Sequence, residues 1–149
     1  MIEFEKIELT ELKNIIYLCY QGDDDLVSKY HSINLEPGQY SLDDCVELTY
    51  QRLCEAVDEY KADCYLIKYN DDVIGYLACV EDLLYSFAII KAFRKKEILT
   101  LWWEEVVKFF NGSFITMIYN NNQRCLMFLL KNEMKIVGTD NNIILLKNI

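Results

Sequence analysis

Proline and glycine are scarce here: one proline and five glycines in 149 residues leave no Pro- or Gly-rich tract to act as a linker. Histidine is scarcer still. His31 is the single one, and the six cysteines at 19, 45, 54, 64, 79 and 125 contain no C-x-x-C pair, so a metal site is not expected. Arginine occurs three times in a chain of net charge −9. Phosphate backbones are held largely by Lys and Arg, so nucleic acid is excluded as the expected partner. No apolar run reaches the ~18 residues of a membrane span, and Met-Ile-Glu-Phe-Glu-Lys is not a secretory leader. Phosphate-binding Walker loops, Rossmann fingerprints and nucleophile triads are missing as well. The expectation is a cytoplasmic protein that neither enters a membrane nor binds nucleic acid.

What is present is enough for one core. Hydrophobic residues make up 52% and aromatics 13%, and the length suits a single domain, residues 1–149. Several cysteines sit in apolar runs such as Cys64-Tyr-Leu-Ile, which makes them small buried hydrophobes of a reducing compartment. Abundant Lys, Ile, Asn and Tyr match AT-rich codons, pointing to a bacterium or a virus of one.

Ile2–Leu9 alternates as a half-buried strand, and Thr10 is placed to cap a helix carrying Leu12, Ile15, Ile16 and Cys19. Gln21–Asp25 supplies turn formers, Leu26–Tyr40 is irregular, and Pro37-Gly38 suits a type II turn. Ser41-Leu-Asp-Asp44 resembles a capping box for a helix with Cys45, Leu48, Leu53, Val57 and Tyr60 near one stripe. Cys64–Tyr69 and Val73–Val80 form a hairpin, followed by the strand Leu84–Ile90. A charged loop, a helix Ile98–Phe110, a strand Phe114–Tyr119 and a helix to Lys131 come next. Met134–Val137 and Ile143–Leu146 close the chain as a hairpin around Gly138–Asn142. In Ile98–Phe110 the residues Leu101, Trp102, Trp103, Val106, Val107 and Phe109 cover more than one face. That surplus, like the irregular Leu26–Tyr40, suggests a contact surface for a protein partner or a second copy.

Two segments carry a family resemblance. Ile89-Ile-Lys-Ala-Phe-Arg-Lys-Lys-Glu-Ile-Leu-Thr100 is similar to Val-x-Pro-x-Tyr-Arg-Gly-Lys-Gly-Ile-Gly-Thr of the GCN5-related N-acetyltransferases. Asn122-Gln-Arg-Cys-Leu-Met-Phe-Leu-Leu-Lys resembles that superfamily's Asn-x-x-Ala-x-x-Phe/Leu-Tyr. The order of elements resembles the same fold across nearly the whole chain. The resemblance implies an α+β, α/β/α layered acyl-CoA N-acyltransferase fold: a central, mostly antiparallel mixed sheet with flanking helices. The Leu84–Ile90 and Phe114–Tyr119 strands should run parallel and splay apart.

By the same resemblance, acetyl-CoA would be held by Ile89 and Ile90 backbone groups and around Arg94, Lys95, Lys96, Ile98, Leu99, Thr100 and Asn122. The departures matter physically. Lys95, Glu97 and Leu99 replace three glycines where backbone N–H groups approach a diphosphate, and Glu97 adds a carboxylate there. Leu129 replaces the tyrosine that protonates the leaving thiolate, and leucine donates no proton. Tyr119 stands near enough in sequence to substitute. His31, Glu81 and Asp82 are weak candidates for a base, and no catalytic residue is assigned. The leading expectation is therefore a degenerate acyl-CoA site in a non-catalytic interaction or structural component, of a virus particle if the source is viral. The alternative is an active acetyl-CoA-dependent N-acetyltransferase acting on a small amine or a protein amine.

Overall fold

Alternating Ile2-Glu-Phe-Glu-Lys-Ile makes the first strand, β1 (Ile2–Ile7), with Ile2 buried and Glu3, Glu5 and Lys6 in solvent. The computed structural model describes residues 1–30 and 38–148. A 3-10 turn at Leu9–Glu11 leads into α1 (Leu12–Tyr20), whose Leu12, Ile15, Ile16 and Cys19 are buried as their spacing requires. Thr10 is not the cap. The N-cap is Glu11, without a side-chain bond, and the Leu12 N–H already donates to the Leu9 carbonyl. The tight turn thereby satisfies a donor that a capping hydroxyl would have taken.

Gly22, at φ +73°, ends α1. The acidic run after it does more than turn the chain: Asp24–Ser28 forms α2, with the Asp23 carboxylate accepting from the Leu26 N–H at 3.2 Å. Carboxylates favour a helix start because they answer unpaired N–H groups and the positive end of the dipole. His31 and Pro37 lie outside the described residues.

The capping box is as expected. Ser41 N–H donates to the Asp44 carboxylate at 3.0 Å, and Asp44 N–H donates to Ser41 Oγ at 3.1 Å, opening α3 (Leu42–Tyr60). Ser41→Ala should cost about 1 kcal/mol, a fall of about 3 °C in the melting midpoint followed by circular dichroism. The buried face of α3 is Cys45, Val46, Thr49, Leu53 and Ala56. Tyr60, assigned to the apolar stripe from sequence, is 63% exposed instead.

The remaining strands are β2 (Asp63–Tyr69), β3 (Asp72–Val80), β4 (Leu83–Ile89), β5 (Ile115–Tyr119), β6 (Met134–Asp140) and β7 (Ile143–Asn148). They form one seven-stranded sheet in the order β1-β2-β3-β4-β5-β7-β6. Asn70 and Asp71, both at positive φ, make the two-residue β2–β3 turn that the strand twist favours. The terminal hairpin is tighter than the sequence suggested. Gly138, Thr139 and Asp140 extend β6, and the turn is Asn141-Asn142. All neighbours are antiparallel except β4 and β5, which pair only at Leu83↔Ile115 and Leu84↔Thr116 and then part. Thr116 Oγ1 donates to the Leu84 carbonyl at 3.0 Å at the closed end of this fork. The expected splay is present.

Helices cover both faces, giving the α/β/α layering. Leu12, Ile16, Leu53 and Tyr76 share a core beneath α1 and α3. Leu77, Leu84, Val106 and Leu129 share the other, beneath α4 (Lys96–Phe109) and α5 (Gln123–Lys131). The apolar surplus of α4 is consumed there. Trp103 and Phe110 pack on Phe114 at 5.5 and 4.9 Å between ring centroids, and Phe109 meets Phe4 and Tyr65 edge-on at 5.6 and 5.2 Å. Only Leu101, at 40%, is an exposed large apolar residue of this helix. The aromatic rings of α4 thus pack on the chain's own sheet.

Candidate functional site

Where β5 turns away, β4 keeps one edge without a strand partner. Tyr85, Ser86, Phe87 and Ala88 are all half-buried although β4 is an interior strand. The Ile90 N–H donates to the Ile74 carbonyl at 2.7 Å, so Ile90 faces β3. Hydrogen-bonding direction alternates along an antiparallel strand, which turns the Phe87 and Ile89 amides toward the gap.

Two compartments open on that gap. One is a cavity of about 150 Å³ between β4, β5 and the N-terminal helices. The other is a groove of about 350 Å³ beside α4 and α5. They share Leu26, Phe87, Ala88, Asn122 and Cys125, and so meet across β4.

The groove collects Ile89, Arg94, Leu99 and Asn122 of the residues singled out from sequence. The others lie elsewhere. Lys95, Lys96 and Thr100 are exposed, Ile98 is in the core, and Ile90 has spent its N–H on β3. Thr100 Oγ1 donates to the Lys96 carbonyl, and Asn122 caps α5 by accepting from the Cys125 N–H. The Lys95 backbone, at φ −95° and ψ 148°, is extended and needs no glycine. Glu97 points to solvent, leaving Leu99 as the one replaced glycine whose side chain lines the groove. No side chain among the described residues caps the start of α4, so its first N–H groups keep their capacity for an anion.

Arg94 has a different employment. Its Nε donates to the Ile89 carbonyl at 2.7 Å, one NH2 contact reaches the Cys19 carbonyl at 3.4 Å, and its guanidinium pairs with Asp23. Arg124 completes the cluster, donating to both Asp23 oxygens at 3.1 and 3.2 Å and forming an ion pair with Asp25 at 3.2 Å. Asp23 is 1% exposed. Burial opposes its charge, but Arg94, the Leu26 amide and Arg124 outweigh that and hold its carboxyl below the usual range.

The cavity was not legible from the sequence. Its wall mixes apolar side chains such as Leu53 and Ile118 with phenols and hydroxyls: Tyr20 and Tyr30 oxygens lie 3.3 and 3.1 Å from Thr49 Oγ1, and Tyr76 lies 2.9 Å from Ser86 Oγ. Arg52 stands among them with its guanidinium carbon 5.5 Å from the Tyr119 ring centroid. One signal was available. All three arginines of the chain line these compartments, Arg52 the cavity and Arg94 and Arg124 the groove.

Burial pushes the Tyr20, Tyr30 and Tyr76 phenols upward, so they act as neutral hydrogen-bonding groups and not as phenolate bases. It also pushes the Cys125 thiol, shared by both compartments, up to about 12, which removes it as a nucleophile at neutral pH. Leu129 is fully buried and offers no proton. Among the described residues, neither compartment is lined by a carboxylate, and no group of three His, Cys, Asp or Glu is set to hold a metal ion. No helix among them is long and apolar enough to cross a membrane.

The same architecture recurs in solved structures. The chain is similar to an acetyltransferase from Thermus thermophilus at TM-score 0.69 and 14% identity, over 99% of this chain and 96% of that one. It is similar to the PaiA N-acetyltransferase of Thermoplasma acidophilum, solved with coenzyme A, at TM-score 0.64 and 14% identity, covering 99% and 98%. The Campylobacter jejuni N-acetyltransferase PseH, solved with acetyl coenzyme A, aligns at TM-score 0.57 and 12% identity, covering 99% and 97%. No protein-family model and no curated protein sequence matches the chain. The fold is that of the N-acetyltransferases: α+β, a seven-stranded mostly antiparallel sheet between helices.

Proposed function

We propose that the chain is an acyl-CoA-dependent N-acyltransferase acting on a small amine. The observation that carries this is the passage across β4. A groove with a helix start at one end runs into a polar cavity through the gap left by β5. A scaffold with no ligand would gain by closing that gap with side chains, since unfilled space forfeits packing energy.

The residues fit the cofactor. Trp102 lines the groove and its Nε1–H is buried with no acceptor among the described residues, a deficit that a ligand carbonyl of a pantetheine arm would make good. Phe87 and Ile89 amides face the same gap, and the uncapped start of α4 would take the diphosphate, with Arg94 and Arg124 on the groove wall. Acetyl-CoA bound there supplies an activated thioester carbonyl. Transfer would join the acceptor nitrogen to that carbonyl carbon in place of the CoA sulfur, with the nitrogen's proton passing to the sulfur or to solvent. Phe87, Trp102 and Phe128 keep water from the groove. The Tyr20–Thr49–Tyr30 hydroxyls hold the amine and give its proton a path.

The second reading, a non-catalytic component bound to a protein partner or to its own copy, rests on Leu129 and on the commitment of Arg94 to Asp23. Calorimetry with acetyl-CoA, followed by chromatographic detection of free CoA over a panel of amines, separates the two. Micromolar binding and CoA release with at least one amine are expected. A folded protein that binds no acetyl-CoA at ~1 mM, where binding energy is only about 4 kcal/mol, returns the chain to the second reading.

A further inference from the structure

Four cationic side chains line the two compartments: Lys29 and Arg52 in the cavity, Arg94 and Arg124 in the groove. Three are ion-paired with the two carboxylates Asp23 and Asp25 of α2 and its cap. Lys29 pairs with Asp25 at 3.2 Å, while Arg94 and Arg124 share Asp23. Arg52 is the exception, for no carboxylate among the described residues pairs with it. Its charge is permanent. Its neighbours Tyr30, Tyr119 and Tyr85 are phenols, which orient a guanidinium without neutralising it. A chain of net charge −9 has acids to spare, yet none of those described reaches the one arginine inside this cavity. A partly buried cation without a counter-charge is costly, and an anionic ligand removes that cost.

We propose, building on the acyltransferase reading, that the acceptor is a small amine carrying an oxyanion, a carboxylate or a phosphate, seated on Arg52 inside the cavity. The planar fork of donors on arginine matches both groups. The space of about 150 Å³ limits the acceptor to a body of amino-acid size; a dry cavity of ~150 Å³ holds benzene. Thr49, Ser86 and the surrounding phenols supply donors and acceptors for the amine end.

The test uses matched pairs that differ in charge while keeping the amine. Serine, methionine and phenylalanine are each compared with their amides, and phosphoethanolamine with ethanolamine. Binding to the protein without cofactor is read by saturation-transfer NMR titration, and acyl transfer by CoA release. At least one anionic member should bind tenfold or more tighter than its neutral mate. Arg52→Gln should erase that difference while leaving acetyl-CoA affinity unchanged, and Arg52→Lys should retain part of it. A preference within the amino-acid pairs assigns a carboxylate; one confined to phosphoethanolamine assigns a phosphate.

Equal binding within every pair, binding of none of these probes, or a preference that survives Arg52→Gln overturns the proposal. Discrimination without acyl transfer keeps the anion site and removes the acyltransferase reading. Transfer to neutral amines without discrimination does the reverse.

Discussion

Asp23→Asn should lower the stability of the chain by about 3 kcal/mol, the low end of what breaking a buried ion pair costs. The carboxylate is almost wholly buried and ties three segments together: the α1–α2 turn it belongs to, the loop before α4 through Arg94, and α5 through Arg124. Asparagine keeps the acceptor that caps α2, so the loss reports on the charges and not on the cap. Two guanidinium groups are left facing a neutral amide, and both line the groove. The same variant should therefore bind acetyl-CoA more tightly, since Arg94 loses its carboxylate and Arg124 keeps only Asp25, leaving more positive charge for phosphate. Urea denaturation and calorimetry measure the opposed effects, and unchanged stability would show that the cluster behaves as a surface pair.

The pH dependence has a definite sign. The folded Asp23 carboxyl titrates below its unfolded value. The cluster's contribution is then complete above the ordinary carboxylate pKa of about 4 and is lost as the pH falls through the lower folded value. Wild type and Asp23→Asn should differ in stability at neutral pH and converge in acid.

Gly75→Ala should be at least as damaging. A Cβ built at Gly75 would lie 2.2 Å from the Ala88 carbonyl oxygen and 3.1 Å from its carbon. These are backbone atoms of the neighbouring strand, so no rotamer change relieves the overlap. Gly75 pairs with Ile67 on one side and Ile89 on the other, next to the irregular register between Ile67 and Lys68. Separating β3 from β4 there also moves Ala88 and Ile89, which border both compartments and the groove respectively. Overpacking against backbone should cost about 3 kcal/mol or more, lowering the melting midpoint by roughly 9 °C in a chain of this size. A midpoint within about 2 °C of wild type, measured by calorimetric scanning, would refute this account of the β3–β4 approach.

Local features were legible in the sequence, and distant ones were not. The Ser41–Asp44 box, the hairpin joining Cys64–Tyr69 to Val73–Val80 and the alternation in β1 each depend on neighbours in the chain. The α2 helix was concealed because Asp23, Asp24 and Asp25 serve equally as turn formers and as a helix start. Resemblance located Arg94 but not its partner, which stands 71 positions earlier. Nor could periodicity assemble the cavity, whose Tyr30, Arg52, Tyr76 and Tyr119 come from separate parts of the chain and reach one place only through the sheet order. The direction of the charged loop's side chains was hidden for a related reason. Side chains counted as obstructions at Lys95 and Glu97 turn outward once α4 is wound, and a string of letters carries no direction.

The fork between β4 and β5 also decides how the sheet bears load. Four strands on one side and three on the other are each cross-linked by long ladders, but the halves meet at two residue pairs and one threonine hydroxyl. Shear stiffness in a sheet comes from its ladder bonds, so the molecule is two stiff plates riveted at one end. Tension across the sheet concentrates on Leu83, Leu84, Ile115 and Thr116, and the helices packed on both faces share the load that the missing ladder bonds do not carry.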